Sequence, residues 1–151
     1  MRYLLDTCVI SEFTKPQPSP TVIQWLAAQD EFNLTLCTPT IYELKRGIER
    51  LEAGKRKTFL QLWLENNVIE RFEQRLYNID ADVALCWGEM QSKLERVGKP
   101  MPVLGSLIAA TAIFHDLTLV TRNIKDFEIS GVKLFNPWDI YPPYGGLTYG
   151  G

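Results

Sequence analysis

Apolar positions along this chain form two kinds of stretch, short continuous runs and longer segments with helical spacing, and the two alternate. Leu4 and Leu5 in RYLLD make a run ending in a polar residue, the pattern of a buried strand. VISEFTK reads as a short helix, after which Pro16, Pro18 and Pro20 break the chain. TVIQWLAAQ carries Val22, Ile23, Trp25 and Leu26 on one side of a helix, and FNLTLCT is a strand. PTIYELKRGIERLEA is a helix with proline near its first turn, ended by Gly54. Two longer helices follow, around KTFLQLWLENNVIERF and ADVALCWGEMQSKLERV, with LYNID between them as a further strand and Gly98 and Pro100 after the second. A helix from about Pro102 to His115, the buried strand LTLVT and a last strand VKLFN complete the pattern.

Strands alternating with helices imply an α/β protein, a central parallel sheet flanked by helices on both faces in three layers. A length of 151 residues with 46% apolar content is enough chain for one good core but hardly two. One domain over residues 1–138 is therefore expected. The remaining segment, 139–151, contains YPPYGGLTYGG and is expected to be poorly ordered.

Charge and cysteine content narrow the function classes. A net charge of −2 argues against a protein that coats nucleic acid by bulk attraction, so any such contact must be local. One basic patch exists, Lys45, Arg46, Arg50, Lys55, Arg56 and Lys57, although such runs usually form a solvated helical face. Cys8, Cys37 and Cys86 show no C-x-x-C spacing, which fits neither a disulfide framework nor a thiolate zinc site; reduced, buried thiols are expected. MRYLLD lacks the features of a secretory signal, and no segment approaches ~18 uninterrupted apolar residues. A soluble cytoplasmic protein with no membrane partner is the expectation.

In open parallel sheets ligands bind outside the carboxyl ends of the strands, so the residues to inspect are those where strands give way to loops. Asp6 is one, and it could equally cap the helix that starts at Thr7. Glu43 is a second acid, but Thr40-Ile41-Tyr42-Glu43 also spells a capping box. Thr121 ends another strand and leads into Arg122, Asn123, Ile124, Lys125 and Asp126, a run that a turn would also explain. What lifts these residues above helix caps is convergence: three strand-end or helix-start positions carry acids and an amide to one rim. Hard oxygen ligands there suggest Mg²⁺ or Mn²⁺, and such an ion can activate water and neutralise a phosphate in an in-line displacement. The only histidine, His115, falls at a helix end where a dipole contact is expected, which sets aside histidine-based catalysis. No G-x-x-x-x-G-K-[ST] or G-x-G-x-x-G loop supports nucleotide binding.

The pieces MRYLLDTCVISE, TIYELKRGI, GKPMPVLGSLIAATA, LTLVTRNIKDF and VKLFNPW, in this order and spacing, make the chain resemble the PIN domain, and within it the VapC-like toxins of bacterial toxin–antitoxin pairs. The resemblance runs from Met1 to about Trp138. It implies an acidic Mg²⁺ or Mn²⁺ pocket, endonucleolytic cleavage of RNA, a homodimer, and a cognate VapB-like antitoxin that covers the pocket in a hetero-oligomer. Carried over by motif, Asp6 matches the first acid and Glu43 the second. Asn123 matches the fourth position, with Asp126 close behind as a further catalytic candidate. Thr7, Ser11 and Thr121 are supporting positions.

The family pattern has aspartate before SLIAATA, where this chain has Gly105. Glycine cannot ligate a metal, and in or near a first helical turn it costs up to ~1 kcal/mol relative to alanine. A crippled or inactive ribonuclease is the expectation, because losing even an outer partner of a metal ligand typically costs about 10 to 100-fold. A non-catalytic module that sequesters antitoxin is the alternative. A haloacid-dehalogenase-type phosphatase is disfavoured because it needs a second acid two residues after the first, where Cys8 stands; a flavodoxin-like domain without a site is the bland reading. Cys8 also departs from an asparagine common in the family, and no chemistry is assigned to it. Lys45, Arg46, Arg122 and Lys125 are candidate RNA contacts. Trp25, Trp63, Trp87 and Trp138 are expected mostly in the core or an interface. The helices following Gly54 and Ile79 are expected to bury a dimer or antitoxin contact.

Overall fold

A computed structural model describes residues 1–140 of the chain. Most of the 139–151 tail thus lies outside the described residues. Five short strands, β1 (Tyr3–Leu5), β2 (Leu34–Cys37), β3 (Leu76–Tyr77), β4 (Thr118–Val120) and β5 (Leu134–Phe135), form one parallel sheet in the order β3-β2-β1-β4-β5. The helices are α1 (Thr7–Ile10), α2 (Pro20–Ala28), α3 (Thr38–Glu49), α4 (Lys55–Trp63), α5 (Ala81–Arg96), α6 (Val103–Phe114) and α7 (Ile124–Phe127). The α/β expectation holds, with helices on both faces.

Period-two alternation divides the core into two. Leu5 joins Val9, Ile10, Val22, Trp25 and Leu36 on one face, while its neighbour Leu4 joins Ile108, Ala109, Leu117 and Leu119 on the other. All of these are nearly or wholly removed from water. Because β1 sits at the centre with β2 on one side and β4 on the other, chain progression reverses direction there. The carboxyl ends of β1 and β4 thus form the switch point at which parallel sheets open a crevice.

Several boundaries differ from the sequence reading. Helix α3 starts at Thr38, with Cys37 as its N-cap and Pro39 in the first turn, so Thr40 lies inside the helix and the capping box does not form. The helix ends at Glu49, and Gly54 instead precedes α4 in extended conformation. Helix α4 continues without a break into a π-helical stretch, Leu64–Ile69. The TRNIKDF run, read as a possible turn, contains α7, with Asn123 as its N-cap. His115 caps the end of α6, but it stacks on Tyr77 with ring centroids 4.0 Å apart. Burial pushes its pKa down, which disfavours the imidazolium that a dipole contact needs. The cysteines are free as expected, but Cys8 and Cys86 are only half-buried.

Candidate active site

The register Leu5↔Val120 sets the next residues, Asp6 and Thr121, beside one another at the switch point. The Asp6 amide donates to Val120 O at 3.0 Å, and the Thr121 hydroxyl donates to Asp6 Oδ2 at 2.7 Å. Asp6 Oδ1 accepts from the Thr7 amide at 2.8 Å, so the carboxylate caps α1 as well as facing the rim. Thr121 Oγ1 also accepts the Asn123 amide at 3.0 Å, which orients the start of α7. Both Asp6 and Thr121 are buried.

Glu43 reaches this centre through a different contact from the one its sequence suggested. Instead of bonding back to its own helix, Glu43 Oε1 accepts the hydroxyl of Thr7, across 36 positions of sequence. Thr7 therefore links the two acids, touching Asp6 through its amide and Glu43 through its side chain.

Burial raises the pKa of Asp6, against the lowering effect of the Thr121 and Thr7 hydrogen bonds, and the negative field of Asp126 raises it further. No lysine or arginine stands within ion-pair distance of Asp6, Glu43 or Asp126 among the described residues. A buried carboxylate with acidic neighbours and no cationic partner is a donor arrangement suited to a hard divalent cation.

Gly105 is the third residue of α6, and its backbone is not in the left-handed region that favours glycine. A Cβ added there would meet Phe127 Cε1 at 3.7 Å and Met101 Cε at 4.0 Å, both ordinary contacts. Nothing in the backbone or the packing demands glycine. The adjacent Ser106 anchors this end of α6, donating to Val103 O at 2.7 Å and accepting from Trp87 Nε1 at 2.8 Å. Among the described residues no three His, Cys, Asp or Glu side chains gather into a group able to hold a metal. Asp6 and Glu43 are the acids whose chemistry fits a divalent ion, and Gly105 offers no side-chain donor.

The remaining predicted residues divide. Asp126 reaches Asp6 through its field, while Asn123 is exposed and joins the rim by its backbone. Ser11 follows α1 as its C-cap, and among the described residues its hydroxyl has no hydrogen bond to the acids. Lys45 pairs with Glu49 at 2.9 Å. Much of the basic patch serves structure: Arg56 donates to Thr14 O, and Lys57 donates to the carbonyls of Glu49 and Leu51. Arg46 and Lys125 are exposed. Cys8, set aside in the sequence, lies in the site, its sulfur 3.8 Å from Asp6 Oδ2 and 3.7 Å from Thr121 Oγ1. Its spacing of two from Asp6 was the available signal. Burial, then the charge of Asp6, raises the thiol pKa.

On the face of the sheet that carries Leu5, a second concavity of about 510 Å³ is lined by Ile10, Phe13, Leu26, Trp63, Val68 and Phe72. Phe59 and Leu62 on α4 and Leu85 on α5 are exposed. Among the described residues no helix is long and apolar enough to cross a membrane.

The described residues form an α/β three-layer protein with a parallel sheet and a buried acid, Asp6, at its central switch point. The chain belongs to the PIN domain family, whose model matches residues 3–129. It is 35% identical over 136 residues to the VapC ribonuclease Y4jK of Sinorhizobium fredii, covering 90% of this chain and 97% of that one. It is 37% identical over 135 residues to toxin FitB of Neisseria gonorrhoeae, covering 89% and 97%. The structure of FitAB bound to an IR36 DNA fragment superposes with a TM-score of 0.85 at 34% identity, covering 91% of this chain and 96% of that one.

Proposed function

We propose that this chain is the toxin component of a VapBC-like toxin–antitoxin pair, built for Mg²⁺- or Mn²⁺-dependent endonucleolytic cleavage of RNA and crippled in that chemistry by Gly105. The observation that carries the reading is the unneutralised acid pair Asp6 and Glu43, joined through Thr7 at the switch point; Gly105, where the family pattern has aspartate, is required by neither backbone nor packing. Relatives named as a ribonuclease and a toxin, covered over nearly their whole lengths, support the assignment.

In this reading Asp6, Glu43 and Asn123 would hold the metal, with Asp126 as a further acid of the rim. When bound, such an ion lowers the pKa of a water and neutralises charge on the phosphate. Thr121 and Thr7 fix the orientation of the two carboxylates. Asp126 adds negative field at the mouth. Glycine at 105 leaves one side of the site without a carboxylate, and the expected loss is at least ~10 to 100-fold in metal affinity or activity.

The partners in this reading are a VapB-like antitoxin, a second copy of the chain and the RNA substrate, in the cytoplasm. Exposed Phe59, Leu62 and Leu85 supply apolar surface for protein contacts. A second reading, a non-catalytic module that sequesters antitoxin, is favoured by Gly105 together with that apolar surface. The test is Gly105→Asp expressed under tight control beside the chain as given, with Mg²⁺-dependent cleavage of structured RNA as the assay. Cleavage and growth arrest by the restored protein alone support the crippled toxin. If the restored protein does neither, the binding-module reading takes its place.

A further inference from the structure

The acidic rim poses an electrostatic problem, because its carboxylates would repel the phosphate backbone of the proposed RNA substrate. A cation held at the edge of the rim, and not consumed by those acids, would offset the repulsion. Arg122 is placed to be that cation. It follows Thr121 directly, and the Thr121 hydroxyl is bonded to Asp6 Oδ2. Yet its guanidinium does not collapse onto the acids. It lies over the ring of Trp138, with its central carbon 5.1 Å from the ring centroid, and among the described residues no carboxylate stands within ion-pair distance of it.

Trp138 is itself fixed. Its ring packs against the buried cluster on one face of the sheet, and its amide donates to Asn136 Oδ1 at 2.9 Å. Attraction to the ring face occupies none of the guanidinium's hydrogen-bond donors, so its N–H groups stay available to grip phosphate oxygens. Arg122 is exposed. In the separate basic patch Lys45 is engaged with Glu49, and Arg56 and Lys57 with backbone carbonyls, while Arg46 is exposed.

We propose that Arg122 takes a backbone phosphate of RNA at the edge of the acidic rim, and that Trp138 is its positioning residue, holding the guanidinium off the carboxylates and aimed at the substrate. This rests on the reading that the rim takes RNA. The pair joins two motifs far apart in sequence, TRN and NPW. A surface arginine of free orientation would spend entropy on binding that a stacked one has already lost.

The test measures binding of a fluorescently labelled single-stranded RNA by anisotropy in EDTA, with the full chain and four variants. Arg122→Gln should weaken binding roughly tenfold, the value of one hydrogen-bonded charged contact. It should also reduce the slope of log affinity against log salt by about 0.7. Trp138→Leu should reproduce both changes, Trp138→Phe should keep near-native binding, and the double variant R122Q/W138L should bind no more weakly than R122Q. In the Gly105→Asp background, cleavage by either damaging variant should lose in KM more than in kcat.

Unchanged affinity and salt slope in R122Q would overturn the inference, as would additive losses in the double variant, which would mean that the tryptophan meets RNA on its own. Thermal melts accompany each variant. If Trp138→Leu unfolds, Arg122→Gln and Trp138→Phe still decide the matter. If the chain binds no RNA and its Gly105→Asp form cuts none, the ribonuclease reading fails and takes this inference with it. If Gly105→Asp cuts RNA and is indifferent to Arg122→Gln, this inference alone fails.

Discussion

The Thr121 hydroxyl donates to Asp6 Oδ2 at 2.7 Å, tying together the ends of the two neighbouring strands at the switch point of the sheet. The same oxygen accepts the Asn123 amide, so one hydroxyl orients both a carboxylate and the start of α7. Thr121→Val keeps the shape and deletes both bonds of a buried hydroxyl. Leaving the Asp6 anion and the Asn123 amide short of a partner should cost about 1–3 kcal/mol, read as a lower denaturant midpoint. Thr121→Ser should recover most of the loss. A valine variant as stable as the parent would show that the bond contributes nothing net.

Gly105 permits a separation of helix energetics from chemistry. An added Cβ meets only Phe127 and Met101 at ordinary distances, so Gly105→Ala should stabilise the protein by up to ~1 kcal/mol through helix propensity and restore no activity. Gly105→Asp carries the same Cβ and adds a carboxylate. It should gain at least ~10-fold in RNA cleavage over Gly105→Ala. Equal activity in the two variants would show that residue 105 plays no part in the reaction.

Metal linkage gives a readout independent of catalysis. A ligand that binds only the folded state stabilises by about 2.7 kcal/mol at a hundred times its Kd. Mg²⁺ or Mn²⁺ should therefore raise the melting temperature of Gly105→Asp more than that of the parent, and EDTA should reverse the shift. Adding Asp6→Asn to the restored protein should abolish most of the response. A shift of the same size in all three proteins would mean that the ion binds elsewhere.

The fold was largely legible because the apolar runs at Leu4 and Leu5 and at LTLVT are short, bounded and separated by segments of helical period. What misled was local chemistry with two outlets. Thr40 and Glu43 match a capping box by spacing, but α3 begins earlier, at Thr38, and Glu43 bonds to Thr7. That preference is a tertiary one, set by the approach of α1 to α3, and no window within one helix contains it. The spacing of Cys8 from Asp6 hinted at its place, but its closeness to Thr121 depends on strand pairing across more than a hundred residues. Lys45 was read as a possible phosphate contact because its partner, Glu49, could not be weighed against a substrate without the geometry. The Arg122 and Trp138 pair was invisible for the same reason.

Away from the acidic rim, Glu31 makes stability depend on pH. The hydrogen bond from Arg71 holds the Glu31 carboxyl below its ordinary value of 4.5, against desolvation, with the charges of Arg71 and Arg75 adding to the lowering. The folded protein therefore binds this proton less tightly than the unfolded chain. The stabilisation is fully present above the ordinary value and is lost as pH falls through the depressed one. Glu31 is about half exposed, so screening limits the contribution to at most about 1 kcal/mol. Glu31→Gln should lower stability slightly at pH 7, and its difference from the parent should shrink as pH falls below about 4.5 or as salt rises. Arg75 is the more consequential member: it is 8% exposed and donates to the carbonyls of Glu31 and Leu34 as well as to the Glu31 carboxylate. Arg75→Met strands those carbonyls beneath the start of β2, and it should cost about 3 kcal/mol at any salt concentration. If Glu31→Gln proves the costlier change at neutral pH, then the ion pair and not the carbonyl contacts anchors this corner of the sheet.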